Sequence, residues 1–296
     1  MKVLVTGARG FVGRRLVEKL AVSNEVYGLV RPGEPTETNH GVVLIEVDLA
    51  DDWTRDALPR DIDVVIHLAQ SRWFRQFPER AADVFAVNLD ATFRLLDYAR
   101  QVNAGKFVFA SSGGVYGCSS ETLNEGDLVQ PPDFYLRSKY AGELLVESYR
   151  EYLTTIVLRP FFMYGGGQRS NMLIARLAHC IVEGRAIRLD GPEGIRLNPI
   201  HVSDAIDAFA TASELVDHTL INVAGDEVLS LRQISMSMAR HLSIEPKFEV
   251  GAEAVTSNMV AGIDRMKEWL ISPQVQFVDG VEEVCREAAA ARHEPK

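Results

Sequence analysis

The chain has 296 residues, which is enough for one large domain or two modest ones with a sizeable hydrophobic core. Hydrophobic residues make up 47% and charged residues 24% of the chain, so collagen-like, low-complexity and disordered proteins are excluded. With 31 Lys and Arg against 41 Asp and Glu, the net charge is −10. This balance argues against nucleic acid and against an anionic membrane surface as partners.

The three cysteines, Cys118, Cys180 and Cys285, are too few and too widely spaced for a disulfide framework or a zinc site. We therefore expect reduced thiols and no metal. The chain opens on a strand-like run without an apolar leader, and no apolar run approaches the ~18 residues that cross a bilayer. These features predict a cytoplasmic protein without membrane attachment.

The first part of the chain alternates between strands and helices. Near-continuous apolar runs predict strands buried on both faces, at Lys2–Thr6, Glu25–Val30, Val42–Val47, Asp63–Ala69, Lys106–Ser111 and Thr155–Arg159. Helical spacing predicts helices at about Phe11–Ala21, Ala81–Gln101 and Ser138–Glu151. This alternation predicts an α/β fold with a Rossmann-like, doubly wound parallel sheet.

After Arg159 the pattern changes to helices mixed with short strands. Helices are predicted at about Met172–Glu183, Asp204–Leu215, Leu231–His241 and Gly280–Ala290, and strands at Ile187–Leu189, Leu220–Val223 and Lys247–Val250. We expect a first domain of residues 1–165 and a smaller α/β C-terminal cap of residues 166–296, with about 198–225 packing back on the first domain. The cap would close a cleft at the carboxyl ends of the strands, and residues 292–296 would form a frayed tail.

A glycine-rich turn, Thr6–Gly13, joins the first strand to the first helix. In this context Gly7 permits the tight turn, Gly10 lets backbone N–H groups around Phe11 and Val12 approach a pyrophosphate, and Gly13 lets helix and strand pack closely. The alternative is an ordinary turn with incidental glycines. The motif predicts that residues 1–165 bind a dinucleotide.

Residues at the ends of the second and third strands indicate which dinucleotide is bound. The second strand ends in Arg31 without a carboxylate at its tip, so Arg31, with Arg9 in the glycine turn, is expected to clamp the 2′-phosphate of NADP(H). A solvated surface arginine is the alternative, and NAD(H) remains possible. Asp48 and Leu49 are expected beside the adenine, where Asp48 accepts from the amino group unless it caps the next turn.

A serine, a tyrosine and a lysine form the candidate catalytic set. Tyr135 and Lys139 lie four residues apart at a helix start and hence on one face. An adjacent ammonium stabilises a phenolate and lowers the pKa of a tyrosine towards neutrality. Ser112 follows the fifth strand at the carboxyl edge of the sheet, where its hydroxyl can orient a substrate carbonyl.

The order of these motifs closely resembles the extended branch of the short-chain dehydrogenase/reductase superfamily, the NAD-dependent epimerase/dehydratase family. The matching segments are Thr6–Gly13, Asp63–Ala69, Asn88, Ser111–Gly117, Tyr135 with Lys139, Leu158–Pro160, Tyr164-Gly165 and Ile200–Asp204. The resemblance implies that Tyr135 donates and accepts the proton, that Lys139 lowers its pKa and binds the nicotinamide ribose, and that Ser112 polarises the reacting oxygen.

The resemblance also implies supporting roles and an assembly. Leu68, Ala69 and Pro160 would lie beside the cofactor, and Asn88 would support the site. A homodimer is implied, with helices near Ala81–Gln101 and Ser138–Glu151 forming a four-helix bundle. His67 and His201 are interpreted as core residues, because neither belongs to a His/Asp/Glu pattern of a catalytic or metal site.

Departures from the family pattern reduce the number of reactions that the chain is expected to catalyse. Gly113 and Gly114 replace the acidic pair of the family's dehydratases, which disfavours dehydration. Phe162 replaces a polar asparagine near the substrate, and Arg196 stands one residue before the place of a diphosphate-binding arginine. Gly113, Phe162, Asn171 and Arg196 are the substrate-site candidates.

Three functions remain after this narrowing. Arg31 favours a reductase of a nucleotide-linked keto sugar. A nucleotide-sugar 4-epimerase with tightly bound NAD and a non-catalytic dinucleotide sensor stay as alternatives.

Overall fold

The computed structural model describes residues 1–34, 41–251 and 258–291. The tail expected at residues 292–296 lies outside the described residues. In chain order the strands of this part are β1 (Lys2–Thr6), β2 (Glu25–Val30), β3 (Val43–Glu46), β4 (Val64–His67), β5 (Lys106–Ala110), β6 (Thr154–Pro160), β7 (Met163–Tyr164), β8 (Ile187–Asp190), β9 (Arg196–Leu197), β10 (Ile200–His201), β11 (Thr219–Val223), β12 (Leu229–Ser230) and β13 (Phe248–Gly251).

The helices between these strands are, in chain order, α1 (Gly13–Leu20), α2 (Ala81–Phe85), α3 (Ala91–Gln101), α4 (Phe134–Glu147), α5 (Leu173–Val182), α6 (Val202–Ala212), α7 (Leu231–Leu242), α8 (Asp264–Trp269) and α9 (Phe277–Ala291). A π-helical turn, Ala86–Asp90, connects α2 to α3. No helix of the described residues is long and apolar enough to cross a membrane.

A seven-stranded sheet in the order β11-β6-β5-β4-β1-β2-β3 confirms the Rossmann-like fold. Strands β1 to β6 pair in parallel with their neighbours. The chain runs outward from β1 through β2 and β3, then returns to β4 on the other side of β1. The strand order therefore reverses between β1 and β4, and a ligand site is expected at the carboxyl ends of these two strands.

The chain divides into two compact units that interleave along the sequence. The first comprises Met1–Val115, Leu128–Arg159 and Ile206–Ile221, and the second comprises Tyr116–Asp127, Pro160–Ala205 and Asn222–Lys296. This division differs from the predicted boundary at residue 165 in two stretches, 116–127 and 160–165, which belong to the second unit. The assignment of domains to cofactor and substrate stays a prediction. Each unit has its own core, around Phe107 and Leu95 in the first and around Leu189 and Met238 in the second.

Two helices near the candidate site differ from their predicted form. Helix α4 begins at Phe134 rather than Ser138, because the Asp133 side chain accepts a hydrogen bond of 2.8 Å from the Leu136 N–H and caps the first turn. The predicted helix Ala81–Gln101 is interrupted by the π-helical turn, which contains the buried Asn88. Such turns widen a helix by one residue and are frequent at functional sites.

Candidate active site

The glycine turn after β1 has the shape that a dinucleotide pyrophosphate requires. Gly7 has a φ of +69°, and a Cβ at this position would lie 3.1 Å from the Ala69 nitrogen. A Cβ at Gly13 would overlap the Gly7 carbonyl oxygen. Among the described residues no side chain caps the N-terminus of α1, so its first N–H groups remain available to an anion. Gly7, Gly10 and Gly13, with Phe11 and Val12, thus fit a dinucleotide.

The loop after β4 is fastened to the glycine turn through a buried histidine. The Ala69 N–H donates to Thr6 Oγ1 at 3.0 Å, and this oxygen lies 2.7 Å from His67 Nδ1. The other ring nitrogen of His67 lies 3.0 Å from Thr92 Oγ1. Burial lowers the pKa of His67 to about 3, so the ring is neutral. His67 is therefore a satisfied core residue that holds Leu68 and Ala69 beside the turn.

At the end of β2 the structure adds an acidic residue that sequence reasoning did not consider. Arg31 forms an ion pair with Glu34, with Nη2 2.7 Å and Nε 3.1 Å from Oε1. The carboxylate of Asp48 accepts from the Ala50 N–H at 2.9 Å, as expected for a turn cap, while Leu49 is buried in the first core. A phosphate at Arg31 would compete with Glu34 for this guanidinium, and the cofactor roles of Arg31, Arg9, Asp48 and Leu49 stay predictions.

Tyr135 lies in the first turn of α4 and contacts the loop after β4. Its hydroxyl donates to Gln70 Oε1 at 2.6 Å, and its ring packs on Phe74 with centroids 4.9 Å apart. Burial raises the pKa of Tyr135 well above its usual value, the Asp133 carboxylate adds to this shift, and the Arg75 guanidinium opposes it. The phenol is therefore protonated at neutral pH and holds a proton to donate, and the lowering of its pKa that was expected from Lys139 is not found in this structure.

Lys139, one turn after Tyr135, is 2% exposed. Its Nζ donates to the Ala110 carbonyl at 2.7 Å and lies 5.1 Å from the centre of the Phe109 ring. Burial lowers the pKa of Lys139 to about 8, and the Glu143 carboxylate four residues further along α4 opposes the shift. With a pKa of about 8 the ammonium is still charged at neutral pH.

A buried ion pair lies beside this lysine. Glu143 receives two hydrogen bonds from Arg159, at 2.9 and 2.6 Å, and a third from the Ser111 hydroxyl. Both charged side chains are at most 6% exposed. Because Tyr135, Lys139 and Glu143 follow at intervals of four residues, they share one face of α4. Glu143 thereby places a negative charge where it keeps Lys139 protonated.

Ser112 and the π-helical turn complete the surroundings of this helix face. The Ser112 hydroxyl accepts from the Gly114 N–H at 3.2 Å, just after β5. Asn88 donates to Ser138 Oγ and accepts from the Ser71 N–H, both at 2.9 Å. Asn88 therefore ties the loop after β4 to α4, which agrees with the supporting role that the resemblance implies.

The remaining predicted residues belong to the second unit. Pro160 ends β6, Phe162 follows it with a φ of +39°, and Asn171 and Arg196 are exposed. The Arg196 backbone accepts from Met259 and donates to Asn258. A left-handed backbone at a bulky residue such as Phe162 is strained, and strain of this kind clusters at functional sites.

The sequence analysis did not identify the residues that contact Tyr135 and Lys139. Gln70 and Phe74 belong to a run of aromatic and basic residues for which no role was predicted. The proximity of Glu143 to Lys139 could have been predicted, because Glu143 follows Lys139 by four residues on a predicted helix.

These groups have the chemistry that hydride and proton transfer require. A nicotinamide dinucleotide held in the glycine turn by Gly7, Gly10 and Gly13 would supply or accept the hydride. Tyr135 holds a proton at Oη, Lys139 carries a positive charge one helical turn further along α4, and Ser112 presents a hydroxyl at the end of β5. This combination can protonate or deprotonate the oxygen of a carbonyl or alcohol as its carbon changes oxidation state.

Comparisons with known proteins agree with this chemistry. The sequence model that describes the NAD dependent epimerase/dehydratase family matches residues 3–224 of this chain. The dTDP-4-dehydro-6-deoxy-D-allose reductase of Streptomyces bikiniensis is 30% identical, over 96% of this chain and 95% of the relative. The GDP-6-deoxy-D-mannose reductase of Pseudomonas aeruginosa is 30% identical over 69% of this chain and 63% of its own length.

Among solved structures, the fold is similar to that of UDP-glucuronic acid 4-epimerase from Bacillus cereus in complex with UDP-glucuronic acid and NAD. The TM-score is 0.85 at 25% identity, covering 98% of this chain and all of the other. The match extends over nearly the whole of both chains.

Proposed function

The chain belongs to the NAD-dependent epimerase/dehydratase family, and on this basis we propose that it is a reductase of a nucleotide-linked keto sugar. The observation that carries the proposal is the protonated phenol of Tyr135, one helical turn from Lys139. Reduction of a ketone places negative charge on its oxygen as the hydride arrives, and a neutral phenol beside an ammonium can supply the proton. The similarity to two nucleotide-sugar reductases supports this direction.

The backbone after Ser112 is a second feature that disfavours dehydration. A Cβ at Gly114 would lie 2.7 Å from the Leu136 side chain. An acidic side chain at this position therefore requires Leu136 to move. Elimination of water from a sugar needs an additional acid and base, and neither Gly113 nor Gly114 supplies one.

For the cofactor we propose NADP(H), bound through Arg31. Charge-assisted hydrogen bonds between a guanidinium and a phosphate are strong and frequently bidentate. Arg31→Ala should weaken NADPH binding about tenfold and leave NADH binding nearly unchanged. Glu34→Gln should strengthen NADPH binding, since the phosphate then no longer competes with a carboxylate. Equal affinities for NADH and NADPH in the unaltered protein contradict this assignment.

A 4-epimerase with tightly bound NAD is the second candidate, and Glu34 is the observation that favours it. Carboxylates near the end of the second strand accept from the ribose 2′-hydroxyl of NAD. The similar Bacillus cereus structure is a 4-epimerase with NAD. An epimerase would convert its substrate without added cofactor and would retain NAD through purification.

We further propose a homodimer through the helices that carry the site. Three large apolar side chains on these helices, Phe85, Phe93 and Leu144, are between 47% and 55% exposed, which is costly for a monomer. Sedimentation equilibrium should show a dimer, and Phe93→Asp should produce a monomer of unchanged helical content. A monomeric unaltered protein at micromolar concentration rejects the dimer.

The activity itself is tested by incubating the purified protein with NADPH and either a dTDP- or a GDP-linked 4-dehydro-6-deoxy sugar. NADPH oxidation should accompany formation of the sugar alcohol. Tyr135→Phe should reduce the rate at least a hundredfold, because the proton donor is lost, while NADPH binding persists. Undiminished turnover by Tyr135→Phe contradicts the role of the phenol.

A further inference from the structure

The Lys139 ammonium has few polar partners for a buried charge. Its side chain is 2% exposed, and within the described ranges its Nζ makes one hydrogen bond, to the Ala110 carbonyl at 2.7 Å. The nearby Glu143 carboxylate is engaged by Arg159 and by Ser111. An ammonium carries three N–H donors, and a buried charge is costly unless its surroundings stabilise it. A second stabilising contact is therefore expected at Lys139.

The ring of Phe109 provides this contact. The Nζ of Lys139 lies 5.1 Å from the centre of the ring, inside the range of about 6 Å in which an aromatic face attracts a cation. Phe109 is the fourth residue of β5 and is 1% exposed. The attraction between a cation and a ring is strongest when both are removed from water. Both partners meet this condition here.

Gly142 leaves the space that the tip of this ring occupies. It follows Lys139 by three residues on α4 and so lies on the same side of the helix. A Cβ at Gly142 would lie 2.7 Å from Phe109 Cζ and 3.2 Å from a second ring carbon. A glycine inside a helix is less favourable than an alanine, which indicates a packing requirement at this position. Helix α4 therefore supplies both the cation and the space for the ring.

The ionisable groups around this ammonium do not replace the ring. His67 on β4, whose ring centroid lies 5.7 Å from that of Phe109, is neutral because burial lowers its pKa to about 3. Tyr135, one turn earlier on α4, is protonated because burial raises its pKa. Glu143, one turn later, favours the charged lysine, but its carboxylate is also held by Arg159 of β6. The ring is thus a separate, direct contact of the charge.

We propose that Phe109 is a positioning residue of the candidate active site, whose ring face holds the Lys139 ammonium in place and in its charged form. Gly142 acts with it by allowing the ring to pack against α4. The inference deepens the proposed function and rests on it only in one respect, that proton transfer from Tyr135 requires a charged Lys139. The contact between ring and ammonium is tested without any substrate.

Fluorination of the Phe109 ring tests this contact, because fluorine withdraws electron density from the ring face and changes its size little. The fluorines are placed at the meta positions, since the para carbon Cζ packs against Gly142. The pKa of Lys139 is measured by NMR on the full chain with an isotope label at lysine Cε, in the signal that Lys139→Arg removes. Two meta fluorines should lower this pKa by about one unit, and one meta fluorine by about half as much.

The control is the same difluorination of Phe107, which lies two residues earlier on β5 and is also fully buried. It should leave the pKa of Lys139 unchanged. An unchanged pKa in both fluorinated forms of Phe109, or an equal fall on fluorination of Phe107, overturns the proposal.

Turnover of a keto sugar with NADPH then tests the positioning role. Two meta fluorines on Phe109 should move the alkaline limb of kcat/KM to lower pH by the same amount as the pKa of Lys139, and leave the rate on its acid side unchanged. Damage to packing would instead lower the rate at every pH. Turnover whose alkaline limb does not move while the pKa falls overturns the positioning role. A lowered pKa in a protein that reduces no keto sugar supports the contact and contradicts only the proposed function.

Discussion

Replacing the buried lysine of the site should stabilise the protein while destroying its activity. The pKa of Lys139 falls from 10.5 to about 8 in the fold, and each pKa unit corresponds to about 1.36 kcal/mol. Keeping this lysine charged at pH 7 therefore costs about 3 kcal/mol. Lys139→Met removes that cost but leaves the Ala110 carbonyl without its donor, a loss of about 1 kcal/mol. The expected net gain is about 2 kcal/mol.

The pH dependence of the gain is as informative as its size. Because the folded pKa lies below the unfolded one, the unfolded state binds more protons between pH 8 and 10.5, and the stability of the unaltered protein rises across this interval. The advantage of Lys139→Met should be full below pH 8 and shrink towards pH 10.5.

Urea unfolding of the cofactor-free protein measures the effect at pH 7 and pH 10. Lys106→Met is the control, because Lys106 also donates to a backbone carbonyl, that of Ser213, but is only half-buried. This variant should lose about 1 kcal/mol at both pH values. A Lys139→Met protein that is less stable than the unaltered one at pH 7, or a difference that does not change with pH, refutes the reasoning.

Other predictions concern residues around this lysine. His67→Gln should make the protein less sensitive to acid. Because the fold lowers the pKa of His67 from 6.5 to about 3, the free energy of unfolding of the unaltered protein falls by about 2 kcal/mol between pH 7 and pH 5. Urea unfolding should not show this decrease in the variant. Gly13→Ala should weaken NADPH binding at least tenfold in a fluorescence titration, because the new methyl group displaces the Gly7 carbonyl. Glu143→Gln should destabilise the protein by about 3–5 kcal/mol in urea, since the buried Arg159 then faces a neutral amide. A loss below 1 kcal/mol contradicts this role of the ion pair.

The central strands of the sheet, β1, β4 and β5, were predicted well because most of their residues are buried on both faces. Strands β1 and β2 begin and end where their apolar runs do, and β4 is buried at all four positions. The glycine turn was recognisable for a related reason, since the overlap at Gly13 admits no side chain there. Where close packing or burial allows only one class of residue at a position, the local structure can be predicted from the sequence.

Elements held by single contacts were harder to predict. The start of α4 depends on one hydrogen bond, which the Asp133 carboxylate accepts from the Leu136 N–H. The spacing of apolar residues after Ser138 does not reveal this cap. The two-residue strands β7, β9, β10 and β12 are too short for any periodicity. The exchange of stretch 116–127 into the second unit was not predicted, because it depends on tertiary packing. Stretch 206–221 of the first unit, in contrast, lies within residues 198–225, which were expected to pack back on the first domain.

The candidate catalytic residues were predictable as types and spacing, but their partners were not. Tyr135 and Lys139 are four residues apart, so they share a face wherever the helix begins. The contact of Tyr135 with Gln70, in contrast, joins residues 65 positions apart. Glu34 was overlooked because it stands beyond the strand tip, where the chain turns back towards Arg31. The contact of Tyr135 with Gln70 is long-range and is set by tertiary packing, whereas the Arg31–Glu34 pair joins residues only three positions apart.

The most direct test of the proposed reaction follows the hydride itself. The protein is incubated with NADPH deuterated at the transferred position and with the keto sugar that it turns over, and the product is examined by mass spectrometry. The reductase mechanism predicts one deuterium in the sugar and one NADP⁺ formed for each product molecule. A sugar that is epimerised without deuterium and without net NADPH oxidation contradicts it.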